Sequence, residues 1–343
     1  MGIVTFGEIM LRLSPSPFLR FAQANAFDIG FGGGEANVAV SLANWGVSVE
    51  LVTSLPMNDL GNTCLNYLRQ KNVGIHHIIR DNGRIGIYFM EYGVAQRPSK
   101  VIYDRKDSSF ARMEKGNIDW ASLFKQNKWF HWTGITPALS KEAYLELKEA
   151  LKIAKENNVV ISCDLNYRKN LWDWGATAEE IMPDLVKQCS VLIGNEEDAA
   201  KVLNISAQNT DITAGNLDAR EYRYVVNEIS QKFPNLSYIA ITLRSSISAS
   251  HNIWEAVLGY KDLFVKSPKY EIDLIVDRVG SGDAFGAALI YALQEFPDDL
   301  QKVLNFAVAA SALKHTISGD VNLVSLDEIY HLMDGDGSGR IER

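Results

Sequence analysis

Cysteine is scarce in this chain: three in 343 residues, at Cys64, Cys163 and Cys189. Their odd number and scattered spacing exclude a disulfide framework and a thiolate metal centre. They read as reduced thiols of a cytoplasmic protein, buried like other small apolar side chains. Basic charge is also short, with 34 Lys and Arg against 42 Asp and Glu, a net charge of −8. That balance argues against a nucleic-acid partner, which needs a basic face. No apolar run reaches the roughly 18 residues of a membrane-spanning helix. The N-terminal MGIVTFGEIMLRL has Glu8 inside its apolar stretch and no basic start, so it reads as a first strand and not as a signal peptide. There is no G-x-x-x-x-G-K-[ST] loop, and the one triple-glycine segment lacks G-x-G-x-x-G spacing. Long low-complexity tracts and internal repeats are missing as well.

What is present is enough apolar content, 47%, for a large core. Apolar strand-like runs alternate with helical ones. KWFHWTGI (128–135) precedes a helical 141–158, VVISCDLN (159–166) a helix near 176–188, and SVLIGN (190–195) the helical EEDAAKVL; LSYIAITL (236–243) follows the helical EYRYVVNEISQKF. This rhythm implies βαβ units and an α/β fold around a mostly parallel sheet. The strands are almost continuously apolar, as strands covered on both faces should be. Polar groups gather at their carboxyl ends, where open parallel sheets bind ligands. Residues 1–332 read as a single domain. Two stretches break the pattern, about 12–32 and 84–108. IGIYFMEYG alternates in the second, with Tyr88 and Met90 on one face and Ile87 and Phe89 on the other. These stretches predict a small sheet whose apolar face must cover something, or else a peripheral hairpin or dimer patch. The tail 333–343 contains DGDGSGR, which matches the start of a calcium loop at Asp334, Asp336, Ser338 and Gly339. The bidentate Glu that would complete such a loop has no place in the sequence, so the tail reads as solvated and flexible.

Two glycine segments carry chemistry. In EIDLIVDRVGSGDAFGAAL a strand-like run leads through Gly280, Ser281 and Gly282 into an apolar helix. Unpaired amides and about half a positive charge collect at such a helix start, which suits phosphate. Asp283 on that turn is either a plain helix cap or a base that takes a proton from a hydroxyl while the Gly280, Ser281 and Gly282 amides hold the phosphoryl group moving onto it. Far upstream, FDIGFGGGEANVAVSLANWG places Gly32, Gly33 and Gly34 before a helical run ending at Gly46. Glycines there let backbone approach a ligand. Asn37 sits on the first turn, within reach of a sugar hydroxyl.

Together, GGGEANVAVSLANWG and DRVGSGDAFGAAL resemble the two signatures of the PfkB/ribokinase family of carbohydrate kinases. Arg278 and Ser281 depart from the family's D-T-x-G-A-G-D. The resemblance spans residues 1–332 and implies a ribokinase-like three-layer sandwich with a small β-sheet lid. It implies ATP and Mg2+ as cofactors and a homodimer or higher homo-oligomer paired through the lid. By the same likeness Asp283 is the base. Asn195, Thr242, Arg244, Gly280, Gly282 and Val308 border the nucleotide, with Arg244 and Ser245 standing where the family has glycine. Asp198, in NEED, meets magnesium through water, or is simply part of an acidic helix start. Asp277, Val279 and Gly319 resemble the family's monovalent-cation site, which takes K+.

Arg105 and Arg168 fall where the sugar would lie, and paired arginines suit a carboxylate. Within the family, Gly34, Tyr88, Tyr103, Arg105 and Arg168 resemble the sugar-acid contacts of 2-keto-3-deoxygluconate kinases, with Gly33 and Asn37 beside them. Arg168 could instead serve the nucleotide phosphates, and Arg105 could be a surface charge. The implied reaction is ATP-dependent phosphorylation of that sugar acid on its terminal hydroxyl. Fructose or another neutral ketose is the rival substrate, and a non-catalytic sugar-binding protein the rival class.

Overall fold

The computed structural model describes residues 2–206 and 219–335. Its strands are β1 (Gly2–Phe6), β2 (Met10–Ser14), β3 (Asp28–Gly32), β4 (Val49–Pro56), β5 (Ile78–Asp81), β6 (Ile87–Glu91), β7 (Lys100–Asp104), β8 (Asn127–Thr133), β9 (Val160–Asp164), β10 (Val191–Asn195), β11 (Tyr238–Ser246), β12 (Asn252–Tyr260), β13 (Leu263–Lys266) and β14 (Tyr270–Ile272). The main sheet runs β13-β12-β11-β10-β9-β8-β1-β4-β5, with β14 also on β12. From β5 to β11 every pairing is parallel; β12 to β14 form an antiparallel edge.

Strand periodicity divides the interior in two. Val191 and Ile193 pack into one core and Leu192 into the other, and Ile3 and Val4 split likewise. The first core lies under helices Gly34–Asn44, Ser281–Glu295 and Leu300–Lys314; the second lies under Lys141–Glu156, Ala178–Val186 and Glu196–Leu203. The result is a three-layer α/β sandwich. All three cysteines are free and buried. Among the described residues no helix is long and apolar enough to cross a membrane.

The two irregular stretches form a separate sheet ordered β3-β2-β6-β7. Tyr88 and Met90 point to its buried side. Ile29 and Ile102 on this sheet are exposed. Arg12 of β2 fixes the sheet to the body: its guanidinium pairs with Asp277, at 2.6 Å, and with Asp320. Burial alone would lower the Arg12 pKa, but Asp320 and Asp277 more than reverse this, so the charge is locked on.

One strand expectation fails. Within 271–279 only Glu271 and Ile272 are in a strand; Asp273–Val279 is irregular, and Leu274 and Val276 are exposed. Its amides are satisfied by loops, not by a ladder: Ile275 N–H by Ser250 O, and Val276 and Asp277 N–H by His315 O. β12 and β13 carried no expectation from the sequence. At the C-terminus the last helix, Leu326–Met333, passes residue 332. Asp336, Ser338 and Gly339 of the calcium-like tail lie outside the described residues.

Replacing Arg12 with Met should leave two buried carboxylates unpaired and lower folding stability by about 3 kcal/mol or more. Urea unfolding measures this; a change below about 1 kcal/mol would show that the clamp is not structural.

Candidate active site

The two glycine segments meet at the carboxyl edge of the parallel strands. Gly280 has φ +81°, and a Cβ there would overlap the Asp320 carbonyl, so only glycine makes this turn. The helix Ser281–Glu295 starts immediately after it. The amides of Gly280, Gly282 and Asp283 have no acceptor among the described residues. The Ser281 amide is instead turned toward Arg278 O at 3.4 Å. Ser281 anchors the turn: its hydroxyl donates to Arg278 O and its carbonyl accepts from Ser311 Oγ. The expected amide trio is thus corrected to Gly280, Gly282 and Asp283.

Asn37 Nδ2 donates to Asp283 Oδ2 at 2.7 Å. A Cβ built on Gly34 would stand 3.6 Å from Asp283 Oδ1, so a side chain there would fill the space in front of the carboxylate. Burial raises the Asp283 pKa to about 6; the Asn37 hydrogen bond opposes this and Asp320 adds to it. The helix start does not hold the carboxyl low, but Asp283 still ionises below neutral pH. Glu35, which follows the triple glycine, is buried, and desolvation lifts it to about 7. It accepts from Thr133 N–H and Thr136 Oγ1 and so braces the glycine turn against the end of β8.

A cavity of about 1350 Å³ opens in front of this corner. That exceeds the roughly 300–1,000 Å³ of a pocket for one small ligand. Gly33, Gly34, Asn37, Tyr88, Tyr103, Arg105, Arg168, Asn195, Asp198, Thr242, Arg244, Val279 and the whole 280–283 turn line it. Arg168, Arg244 and Arg278 line it without a carboxylate at ion-pair distance among the described residues. Arg278 is aimed by the Ser248 and Ala249 carbonyls. Three arginines beside three free amides form a receptor for several negative charges.

Several expected residues have other duties. Val308 is fully buried in the core and does not reach the cavity. Asp198 caps its own helix: its carboxylate accepts from Asn195 N–H at 3.1 Å and Tyr167 N–H at 2.9 Å. Tyr88 donates its hydroxyl to Asp320 at 2.6 Å. Arg105 is not a surface charge; it is buried, and its Nε meets Glu8 Oε2 at 2.8 Å. Glu8 Oε1 is buried without a partner.

Of the residues expected to hold a monovalent cation, Asp277 already has its oxygens engaged. Asp277 Oδ1 accepts from Val279 N–H, and Oδ2 from Gly319 N–H and Arg12. The Asp277 carbonyl accepts from the Lys314 ammonium. No group of three or more His, Cys, Asp or Glu among the described residues could hold a metal ion. Glu8, Arg12, Glu35, Asp164, Lys314 and Asp320 were not foreseen as site residues. For Glu8, Arg12 and Lys314 the available signal was a charge set in an apolar run.

A family model described as pfkB family carbohydrate kinase matches residues 2–325. The crystal structure of 2-dehydro-3-deoxygluconokinase from Thermotoga maritima superposes with a TM-score of 0.92 at 45% identity, covering 98% of this chain and 100% of that one. The 2-dehydro-3-deoxygalactonokinase of Haloferax volcanii is 30% identical over 98% of both chains. Fructokinase-1 of Oryza sativa is 24% identical over 97% of each. The sandwich with its four-stranded lid is the ribokinase-like fold.

Asp283→Asn keeps the shape and removes the ionisable carboxylate, so the expectation that Asp283 is the base predicts a kcat lower by about 10²-fold or more while ligand binding, followed by calorimetry, survives. Because the carboxylate must be ionised to accept a proton, kcat/KM should rise with pH through about 6. Below that it should fall about tenfold per pH unit. A profile flat down to about pH 5 would remove Asp283 from this role.

Proposed function

We propose, from the premise that this chain belongs to the pfkB family of carbohydrate kinases, that it transfers the terminal phosphoryl group of ATP to 2-keto-3-deoxy-D-gluconate. The acceptor is the terminal primary hydroxyl, and the products are the 6-phosphate and ADP. The observation that carries the reading is the convergence of Asp283, Gly34 and Asn37 with free amides and arginines in one cavity.

In this reading Asp283 accepts the hydroxyl proton as the oxygen–phosphorus bond forms and the bond to the ADP oxygen breaks. The Gly280 and Gly282 amides take up charge on the transferred group. Arg244 and Arg278 face the nucleotide phosphates, with Asn195 and Thr242 beside them. Magnesium, carried by the nucleotide, supplies further charge neutralisation; Asp198 and Glu197 stand on the cavity wall to hold its waters. Tyr103 and Arg105 bring the lid to the sugar, and Arg168, free of a carboxylate partner, suits the sugar acid's carboxylate. Closure of the lid would keep water from the phosphoryl group. A second copy covering the lid's exposed Ile29 and Ile102 belongs to the same reading.

A neutral ketose is the second reading, favoured by the Arg105–Glu8 pair, which already neutralises one of the two arginines. ADP formation with 2-keto-3-deoxygluconate, its galactonate epimer and fructose decides between them. We expect kcat/KM for a sugar acid to exceed that for fructose by at least about tenfold, one charge-assisted contact in size; preference for fructose would refute the acid reading. Arg105→Lys, which loses the planar fork, should raise KM for the acid more than for fructose. An equal effect on both would show that Arg105 does not sense the carboxylate.

A further inference from the structure

Lys314 ends the helix Leu300–Lys314 and is completely buried. Its ammonium donates to the carbonyl oxygens of Ile317, at 3.1 Å, and Asp277, at 3.4 Å. Among the described residues it has no carboxylate at ion-pair distance; the Asp277 and Asp320 carboxylates around it are taken by Arg12. A buried ammonium without a contact ion pair is unfavourable unless the position needs a positive charge. Main-chain carbonyls around a desolvated charge are also how proteins hold a bare monovalent ion.

The carbonyls it joins are informative. Asp277 begins the segment that runs through Val279 into the Gly280 turn. Ile317 begins the loop that ends at Asp320, whose carbonyl Gly280 packs against. Gly319 N–H reaches across to Asp277 Oδ2 at 3.1 Å, closing the two loops on each other. The Lys314 charge lies at the joint between them, behind the free amides.

We propose that the Lys314 ammonium is a tethered monovalent cation: it holds the Asp277–Gly280 and Ile317–Asp320 loops together so that the amides of the turn face the phosphoryl group, and it makes the enzyme independent of potassium. This rests on the kinase reading. Lys314 is a positioning residue and touches no substrate. The engagement of the Asp277 oxygens follows directly, because the charge that a bound ion would bring is already covalently attached.

The test compares wild type with Lys314→Met in potassium, ammonium or tetramethylammonium chloride at equal ionic strength. Turnover is read with the best sugar substrate, and the thermal midpoint without substrate. Wild type should differ by less than about twofold between salts, with an unchanged midpoint. Lys314→Met should be slower by about tenfold or more in tetramethylammonium, and potassium or ammonium should restore it severalfold and raise its midpoint. The proposal is overturned by wild type stimulated more than about threefold by potassium, by a variant as fast as wild type, or by a folded slow variant that responds alike to all three salts. If Lys314→Met does not fold, the wild-type comparison decides alone. Absence of any sugar-dependent turnover would sink the kinase reading instead, and the midpoint measurements would then decide the cation question separately.

Discussion

A hydrogen bond between Asn37 and Asp283, residues 246 apart in sequence, joins the two halves of the site. One partner opens the helix after the triple glycine, and the other opens the helix after the Gly-Ser-Gly turn. Each helix start alone is an ordinary anion-binding corner. Brought together, one supplies open space and the other supplies free amides and a carboxylate. The rest of the molecule keeps these two starts in register: Glu35 ties the first to the end of β8, and Ser311 ties the second to the neighbouring helix.

The electrostatics around this bond are arranged by depth. Arg168, Arg244 and Arg278 face the open cavity with no carboxylate at ion-pair distance among the described residues. Behind the turn, Arg12 and Lys314 stand against Asp277 and Asp320 with no access to water. Arg12 belongs to the lid sheet, so the same cluster that shapes the turn also seats the lid. That guanidinium ties the small sheet to the segment that leads into the amide turn.

Much of this was legible in the sequence. Strand–helix alternation gave the parallel sheet, period-two alternation around Tyr88 gave the small separate sheet, and the two glycine segments meet at one cavity. Other features could not be read, for physical reasons. The helix Leu300–Lys314 is apolar on nearly every face, so its pattern could not separate a cavity-facing Val308 from a core one. Asp273–Val279 is rich in strand-forming residues, but its amides bond to distant loops that no local pattern reports. A charge within an apolar run, such as Arg12 or Lys314, shows that a partner must exist without saying which. Arg12 and Asp320 are 308 residues apart. Asp283 stands at a helix start, whose dipole favours the anion, but burial is the larger effect and raises its pKa to about 6, still ionised at neutral pH.

The central claim is that one carboxylate and one amide turn act on an alcohol and a terminal phosphate at once. The most direct measurement is a crystal structure with a non-hydrolysable ATP analogue and the sugar acid bound together. The account predicts the terminal hydroxyl oxygen within about 3 Å of an Asp283 oxygen, and the terminal phosphate on the Gly280 and Gly282 amides. A complex in which Asn37 alone occupies Asp283, with the hydroxyl more than about 5 Å away, would contradict it.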